Sequence, residues 1–332
     1  AARERVALFD MTSFGKLEVS GPGALGLLQR VACNNIDRPD GSLVYTQFLN
    51  AHGGIESDLT VCRLAGDRFR IITGTSFLSN DLEWMRSHAP ADGSVEVRDV
   101  TDDFACIGMW GPDARDVLGQ ATGDDLSNDA FPYLTARQLT VAGKPAWAQR
   151  VSYIGELGWE LYLANTDAGA VWDALLELGQ AHGIRPAGYK ALDSLRLEKG
   201  YVFWSTDVTP EDNLLEAGMG FCADMAKGDF IGRDALAKRK ADGLQSRLRT
   251  VVLEGNALPA YGAESVWHDD QIVSRLRSAG HAHTIDRSIG YCYLPLVLAK
   301  PGVEVEIELF GERVPATVSL PIHDPKGTRL KA

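Results

Sequence analysis

The 332 residues, 45% of them hydrophobic, suffice for two or three domains with sizeable cores. A net charge of −12 argues against nucleic acid as main partner, since phosphate contacts need clustered Lys and Arg, but leaves room for a small anionic ligand. No apolar run reaches the roughly 18 residues of a membrane span, no secretory signal core opens the chain, and five scattered cysteines (33, 62, 106, 222, 292) without C-x-x-C spacing fit reduced thiols better than disulfides or zinc.

The chain begins with an apolar, strand-like stretch over residues 6–9. Residues 17–20, then Gly21-Pro22-Gly23-Ala24, then the apolar-periodic 25–31 read as strand, turn and helix. Proline at a first helical position has its φ pre-set and gives up an N–H that lacks an intrahelical partner anyway. Residues 106–110, Gly111-Pro112-Asp113-Ala114 and 115–118 repeat the arrangement, which suggests two related halves. Between them, 43–49 and 55–64 alternate as strands around the His52-Gly53-Gly54 turn, 69–72 adds a strand, and 80–88 is helical. This is an antiparallel block covered by a helix, not a chain of βαβ units.

A second hairpin spans 134–141 and 146–153 around Gly143-Lys144, and an extended run resumes at 159–163. Residues 167–182 form an amphipathic helix, with Val171, Trp172, Leu175, Leu176 and Leu178 on its apolar stripe, and 187–198 a further helix. From about Ser246 the chain turns to short β-rich runs (249–253, 288–294, 304–309, 314–318) separated by Gly and Pro, a separate all-β domain.

Several segments could carry chemistry. Gly21-Pro22-Gly23-Ala24-Leu25-Gly26 fits G-x-G-x-x-G, but the region after the helix (34–41) is a loop, where a dinucleotide fold needs a parallel strand ending in an acid. His281-Ala282-His283 could place two imidazoles together, with no further ligand evident, so no metal is expected. Asp58 lies among apolar strand neighbours; a carboxylate there finds a partner, takes up a proton or faces a ligand. An exposed edge-strand Asp fits the bare pattern as well, and Glu56 shares its face, so spacing does not choose between them. Glu160, between Trp159 and Leu161, offers two acceptor oxygens side by side for the paired N–H groups of a flat heterocycle; a salt-bridged strand Glu is the equal alternative.

Taken together, 8–12, 53–59, 152–161 and 194–201 resemble the folate-dependent aminomethyltransferase family, the T-protein of the glycine cleavage system and its relatives, through nearly the whole chain. The forms at 8–14, 109–112, 196–201 and 324–330 are most similar to the C-terminal folate half of dimethylglycine oxidase and of sarcosine and dimethylglycine dehydrogenases. The resemblance implies an α+β, three-lobed, cloverleaf-like fold with antiparallel sheets, flanking helices and a C-terminal β-barrel. The lobes expected are residues 1–18 with 109–245, residues 19–108 carrying Asp58, and residues 246–332. It implies tetrahydrofolate as cofactor and no flavin held by this chain itself, with a flavin-dependent oxidoreductase domain or subunit as possible partner. The chain would be a fragment, a subunit or a free-standing relative.

By motif, the resemblance makes Asp58 the catalytic carboxylate beside the one-carbon site, Glu160 the acid that grips the pterin, and Tyr45, Tyr133, Tyr153 and Tyr189 the aromatic positions of the folate site. Where glycine-system T-proteins carry an arginine, this chain has Leu192, which agrees with the flavin-linked branch and not with a lipoyl-protein reaction. The implied activity is capture of the iminium or formaldehyde product of N-methyl amine oxidation as 5,10-methylenetetrahydrofolate. The alternatives are intact methyl transfer from an N-methylated donor to give 5-methyltetrahydrofolate, and a non-catalytic folate-binding module. The implied location is cytoplasmic, or the mitochondrial matrix in a eukaryote.

Overall fold

A computed structural model describes residues 1–255 and 259–332. In chain order the first half holds β1 (Ala7–Asp10), β2 (Gly15–Ser20), α1 (Ala24–Val31), β3 (Leu43–Leu49), β4 (Ile55–Ala65), β5 (Arg68–Thr73), α2 (Leu78–His88), β6 (Glu96–Asp99), β7 (Phe104–Trp110), α3 (Ala114–Ala121), β8 (Ala136–Val141), β9 (Lys144–Gln149) and β10 (Gly158–Ala164). There follow α4 (Asn165–Leu178), β11 (Arg185–Ala187), α5 (Tyr189–Lys199), α6 (Arg233–Asp242), β12 (Ser246–Leu253), β13 (Ser265–His268), β14 (Gln271–Ala282), β15 (Arg287–Pro295), β16 (Glu304–Leu309) and β17 (Glu312–Ser319). None of the described helices is long and apolar enough to cross a membrane. All five cysteines are buried and free of disulfides.

Three sheets result. The first has strand order β11-β1-β7-β10-β9-β8, the second β3-β4-β5-β2-β6, and the third closes as the barrel β12-β15-β14-β13-β16-β17. The two strand–turn–helix units are β2–α1 and β7–α3, one in each open sheet. In each open sheet alternation sends the apolar set toward the helices, whereas the barrel packs its apolar set in its own interior. Leu8, Ile107, Met109, Trp159 and Leu161 pack beneath α3 and α4 through Val117, Leu118, Val171 and Leu175. Leu17, Val19, Leu59, Val61, Phe69 and Ile71 pack beneath α1 and α2 through Leu27, Leu28, Val31 and Met85. Residues directly opposite one another in antiparallel pairs share a face, so Glu160 lies with Gly108 and Gln149, and Asp58 with Gln47, on the helix-free faces.

The lobe bounds drawn from sequence, at 18/19 and 108/109, fall inside β2 and β7; the sheets themselves change over at 11–14 and 100–103. Lys16 pins these crossovers: its Nζ donates to the carbonyls of Thr12 (2.7 Å), Phe14 (2.9 Å) and Thr101 (3.2 Å). Its burial lowers the ammonium pKa, and the three carbonyls offset the lost hydration. The hairpin turn before β4 depends on a close approach: a Cβ on Gly54 would sit 1.7 Å from the Pro210 carbonyl oxygen.

Some elements differ from the pattern in the sequence. The helix expected over 167–182 ends at Leu178, and Gln180–His182 is a separate 3-10 turn closed by Gly183 at φ 65. Ala187 belongs to β11, parallel to β1, so the next helix starts at Tyr189. The strand expected to run to Tyr153 stops at Gln149; the Ser152 hydroxyl then accepts the N–H groups of Ile154 (3.3 Å), Gly155 (3.1 Å) and Glu156 (3.2 Å), which turns the chain toward β10. The 12-residue β14 is the strand the hydrophobic pattern hides, because Arg275, Arg277 and two serines break its alternation.

Candidate active site

Asp58 lies on β4, which is no edge strand because β3 and β5 flank it; Asp58 itself pairs with Gln47 on β3, and the pairing with β5 begins at Thr60. The edge-strand reading is therefore corrected. Gln47 Nε2 donates to Asp58 Oδ1 at 2.7 Å, and Tyr45 occupies the same face of β3. Burial pushes the Asp58 carboxyl up to about 6, while hydrogen bonds from Tyr45 and Gln47 pull the other way. Glu56, on the same face, is instead held by Asn50 Nδ2 at 2.9 Å. The contacts thus separate two acids that spacing left equivalent: Glu56 is tied to the turn, and Asp58 is poised among tyrosine and amide groups.

Glu160 is 7% exposed. Tyr162 donates its hydroxyl to Oε2 at 2.6 Å, and no side chain or backbone group bonds Oε1 among the described residues. Among the described residues no cation pairs with this carboxylate either, so the salt-bridged alternative is set aside. Burial pushes it up to about 7, against the Tyr162 hydrogen bond. A carboxylate without a cationic partner in such a place costs stability unless a ligand or a proton compensates it.

An arc of tyrosines runs from the neighbourhood of one acid to that of the other. Tyr153 lies close enough to feel the Asp58 charge; its hydroxyl donates to Val202 O at 2.8 Å, and its ring stacks on Tyr201 at 6.2 Å. Tyr201 meets Tyr133, and Tyr133 feels the charge of Glu160. Burial raises every phenol of the arc, Tyr133 to about 12, so all stay protonated and can donate. Tyr189 is placed elsewhere: it is 48% exposed, stacks on Phe14 at 6.2 Å and shares a 2.6 Å hydrogen bond with Ser13 at the lobe crossover. Leu192 is buried with Phe9, Met11, Tyr153 and Ile154. Gln47, Gln149, Tyr162 and Tyr201 were not nominated from the sequence; Tyr201, the aromatic residue after Gly200 in a quoted motif, and Tyr162, two strand positions from Glu160, carried a signal, and the two glutamines carried none.

Two other places could attract attention. Asp113, Asp116 and His182 bring ligand atoms within 4.8 Å of one another, but Arg5 reaches Asp113 at 3.7 Å and Gln120 takes the His182 ring at 3.0 Å. His281 and His283 rings touch at 4.8 Å, with His281 Nε2 3.1 Å from Asp286. A cavity of about 790 Å³ on the outer wall of the barrel, lined by Tyr261, Ile272, Arg275, Arg277 and Tyr293 among others, contains neither candidate acid.

Residues 1–227 match the family described as the GCVT N-terminal domain, and residues 247–323 the glycine cleavage T-protein C-terminal barrel domain. The chain is 35% identical to human mitochondrial dimethylglycine dehydrogenase over 333 residues, covering 99% of itself but 38% of that protein. It is 35% identical to the aminomethyltransferase of Halothermothrix orenii, covering 92% of itself and 85% of that protein. It superposes on the crystal structure of glycine cleavage system aminomethyltransferase T from Bartonella henselae with a TM-score of 0.87 at 24% identity, over 98% of this chain and 88% of that one, which shows that the fold is shared. The chain therefore belongs to the glycine cleavage T-protein family, the tetrahydrofolate-dependent aminomethyltransferases, and its fold is the aminomethyltransferase fold with a closed C-terminal barrel.

Proposed function

We propose that this chain binds tetrahydrofolate between Glu160 and Asp58 and captures the iminium or formaldehyde produced by oxidation of an N-methyl amine, giving 5,10-methylenetetrahydrofolate. One observation carries the reading: two largely buried carboxylates, neither paired with a cation among the described residues, sit on the helix-free faces of different sheets, and the run Tyr153–Tyr201–Tyr133 reaches near enough to each to feel its charge. The residues fit the group, since Glu160 Oε1 has no partner among the described residues and can accept ring N–H donors beside an aromatic wall. Tetrahydrofolate supplies two neighbouring nucleophilic nitrogens that can share one carbon.

Glu160 would hold the pterin edge, and Tyr133, Tyr153 and Tyr201 would flank the ring system and exclude water. Asp58, oriented by Gln47 and with a pKa of about 6, is mostly ionised at neutral pH yet easily protonated. Its carboxylate oxygens would take the proton released as the carbon joins a nitrogen, and return one to the departing hydroxyl or amine. A carboxylate so placed adds about 10²–10⁴-fold as an acid–base group, and positioning contributes further.

The flavin-linked donor is supported by identity to dimethylglycine dehydrogenase over nearly the whole chain and by the apolar Leu192. Because the chain spans 38% of that relative, a flavin-dependent partner domain or subunit belongs to the same proposal. A cytoplasmic or matrix location goes with it, which five reduced cysteines suit. Incubation with tetrahydrofolate and labelled formaldehyde, with product separation, tests the reaction. Labelled 5,10-methylenetetrahydrofolate formed faster than in the absence of protein supports it; labelled 5-methyltetrahydrofolate formed instead from a donor labelled in its N-methyl group, with formaldehyde not accepted, replaces it with methyl transfer. Binding with no acceleration of either would leave a folate-binding module.

A further inference from the structure

Gln149 is fully buried, yet neither its amide oxygen nor its amide nitrogen has a hydrogen-bond partner among the described residues. Leaving a whole amide unpaired costs stability, and a folded protein seldom keeps one without a reason. Its position supplies the reason. Gln149 stands directly opposite Glu160 across the β9–β10 ladder, and Ala136 and Gly108 continue the same row on β8 and β7. Opposed residues on one face have Cβ atoms about 5 Å apart, so the amide and the carboxylate can reach the same edge of one flat ring.

The surroundings restrict where that ring can go. The Trp110 ring lies over Gly108, since a Cβ there would meet it at 2.6 Å, and closes the β7 side of Glu160. Tyr162 already occupies Glu160 Oε2. The unused polar groups, Glu160 Oε1 and the two ends of the Gln149 amide, therefore lie toward β9, where Ala136 adds little bulk. A carboxylate only accepts hydrogen bonds, whereas an amide both donates and accepts. A pterin edge presents amino N–H, ring N–H and carbonyl oxygen in sequence: two donors, then an acceptor.

We propose that Gln149 reads the carbonyl end of the pterin edge, its Nε2 donating to the 4-oxo oxygen while Glu160 takes the adjacent N–H groups, so that the pair selects a 2-amino-4-oxo ring. This rests on the folate reading and assigns it a specificity residue. In the ligand-free chain the amide is a stored cost that ligand binding releases.

The test measures tetrahydrofolate affinity by calorimetry and ligand-free thermal midpoint for the intact chain and Gln149→Met, with Gln149→Leu as second variant should methionine overfill the site. Affinity should fall about 5–50-fold, as when a ligand loses one buried hydrogen bond, while the ligand-free midpoint holds or rises, because an unpaired buried amide has been replaced by an apolar group. A tetrahydropterin and its 4-deoxy counterpart complete a cycle: the intact chain should prefer the oxo form about tenfold more than the variant does. A lowered midpoint with unchanged affinity would mean that the amide is held by buried water as part of the fold, and would overturn the assignment. Equal oxo preference in both proteins overturns it also. Failure of the intact chain to bind tetrahydrofolate would sink the folate reading itself, whereas binding left intact in the variants sinks only the role of Gln149.

Discussion

The surroundings of Asp58 and Glu160 make an instructive pair. Both acids stand on central strands, face away from the helices, and have their pKa raised chiefly by burial. They differ in what holds them. Asp58 is half-buried and accepts from Gln47 and Tyr45, two neutral groups on the adjacent strand, so solvent or a reactant can still exchange protons with it. Glu160 is 7% exposed, is steadied by Tyr162 on its own strand, and lies beside an idle amide. The same chemical group is thus set for proton transfer in one sheet and for recognition in the other, and the difference is made by neighbours and not by the strands that carry them.

Breaking either side of this comparison should give separable effects. Asp58→Asn should lower turnover about 10²–10⁴-fold with folate affinity nearly intact, measured as labelled product formation beside calorimetric binding. Unchanged turnover would remove Asp58 from the chemistry. Glu160→Gln should weaken tetrahydrofolate binding about 10²-fold, because charge-assisted N–H···O bonds lost at a desolvated site cost about 1.5–3 kcal/mol each. An affinity within threefold of the parent would break the recognition half of the comparison.

A pH series sharpens the same contrast. Ring N–H donors favour ionised Glu160, whose pKa in the free chain is about 7. Affinity should therefore hold above that pH and fall by about tenfold per unit below it, and binding near pH 7 should release protons, read from calorimetry in buffers of different ionisation enthalpy. The Glu160→Gln variant should show a flat profile; a parallel slope in both proteins would assign the proton elsewhere.

Stability should move the other way. A carboxyl raised from 3.8 to about 6 in the folded state ionises more easily when unfolded, so the fold loses stability as pH rises through that window. Asp58→Asn should stabilise the free protein by about 1–2 kcal/mol at pH 7.5, after discounting for solvent access, and by little at pH 4. Equal thermal midpoints at both pH values would argue that the carboxyl is not strained. The smallest effect expected is for Tyr189→Phe, which should leave folate affinity within about twofold, since that ring sits on the lobe crossover and not in the tyrosine arc.

Much of this molecule was written along the chain. The alternation of 55–64, the two Gly-Pro turns and the change of character near Ser246 foretold β4, the paired strand–turn–helix units and the barrel, because each is a local consequence of side-chain period and turn chemistry. The family resemblance likewise nominated Asp58, Tyr45, Tyr133, Tyr153, Glu160 and Tyr189 before any contact was known. Three things depended on folding. Asp58 and Glu56 share a strand face and differ only because Asn50 reaches one and Gln47 the other. Tyr133 and Tyr153 enter one arc only through Tyr201, and Tyr189 stays outside it. Gln149 looks like any strand glutamine until the sheet buries its amide without a partner among the described residues. Period and turn chemistry act over a few residues and are visible in a string of letters; desolvation and pairing depend on which distant segments close around a group, and only the packed chain decides that.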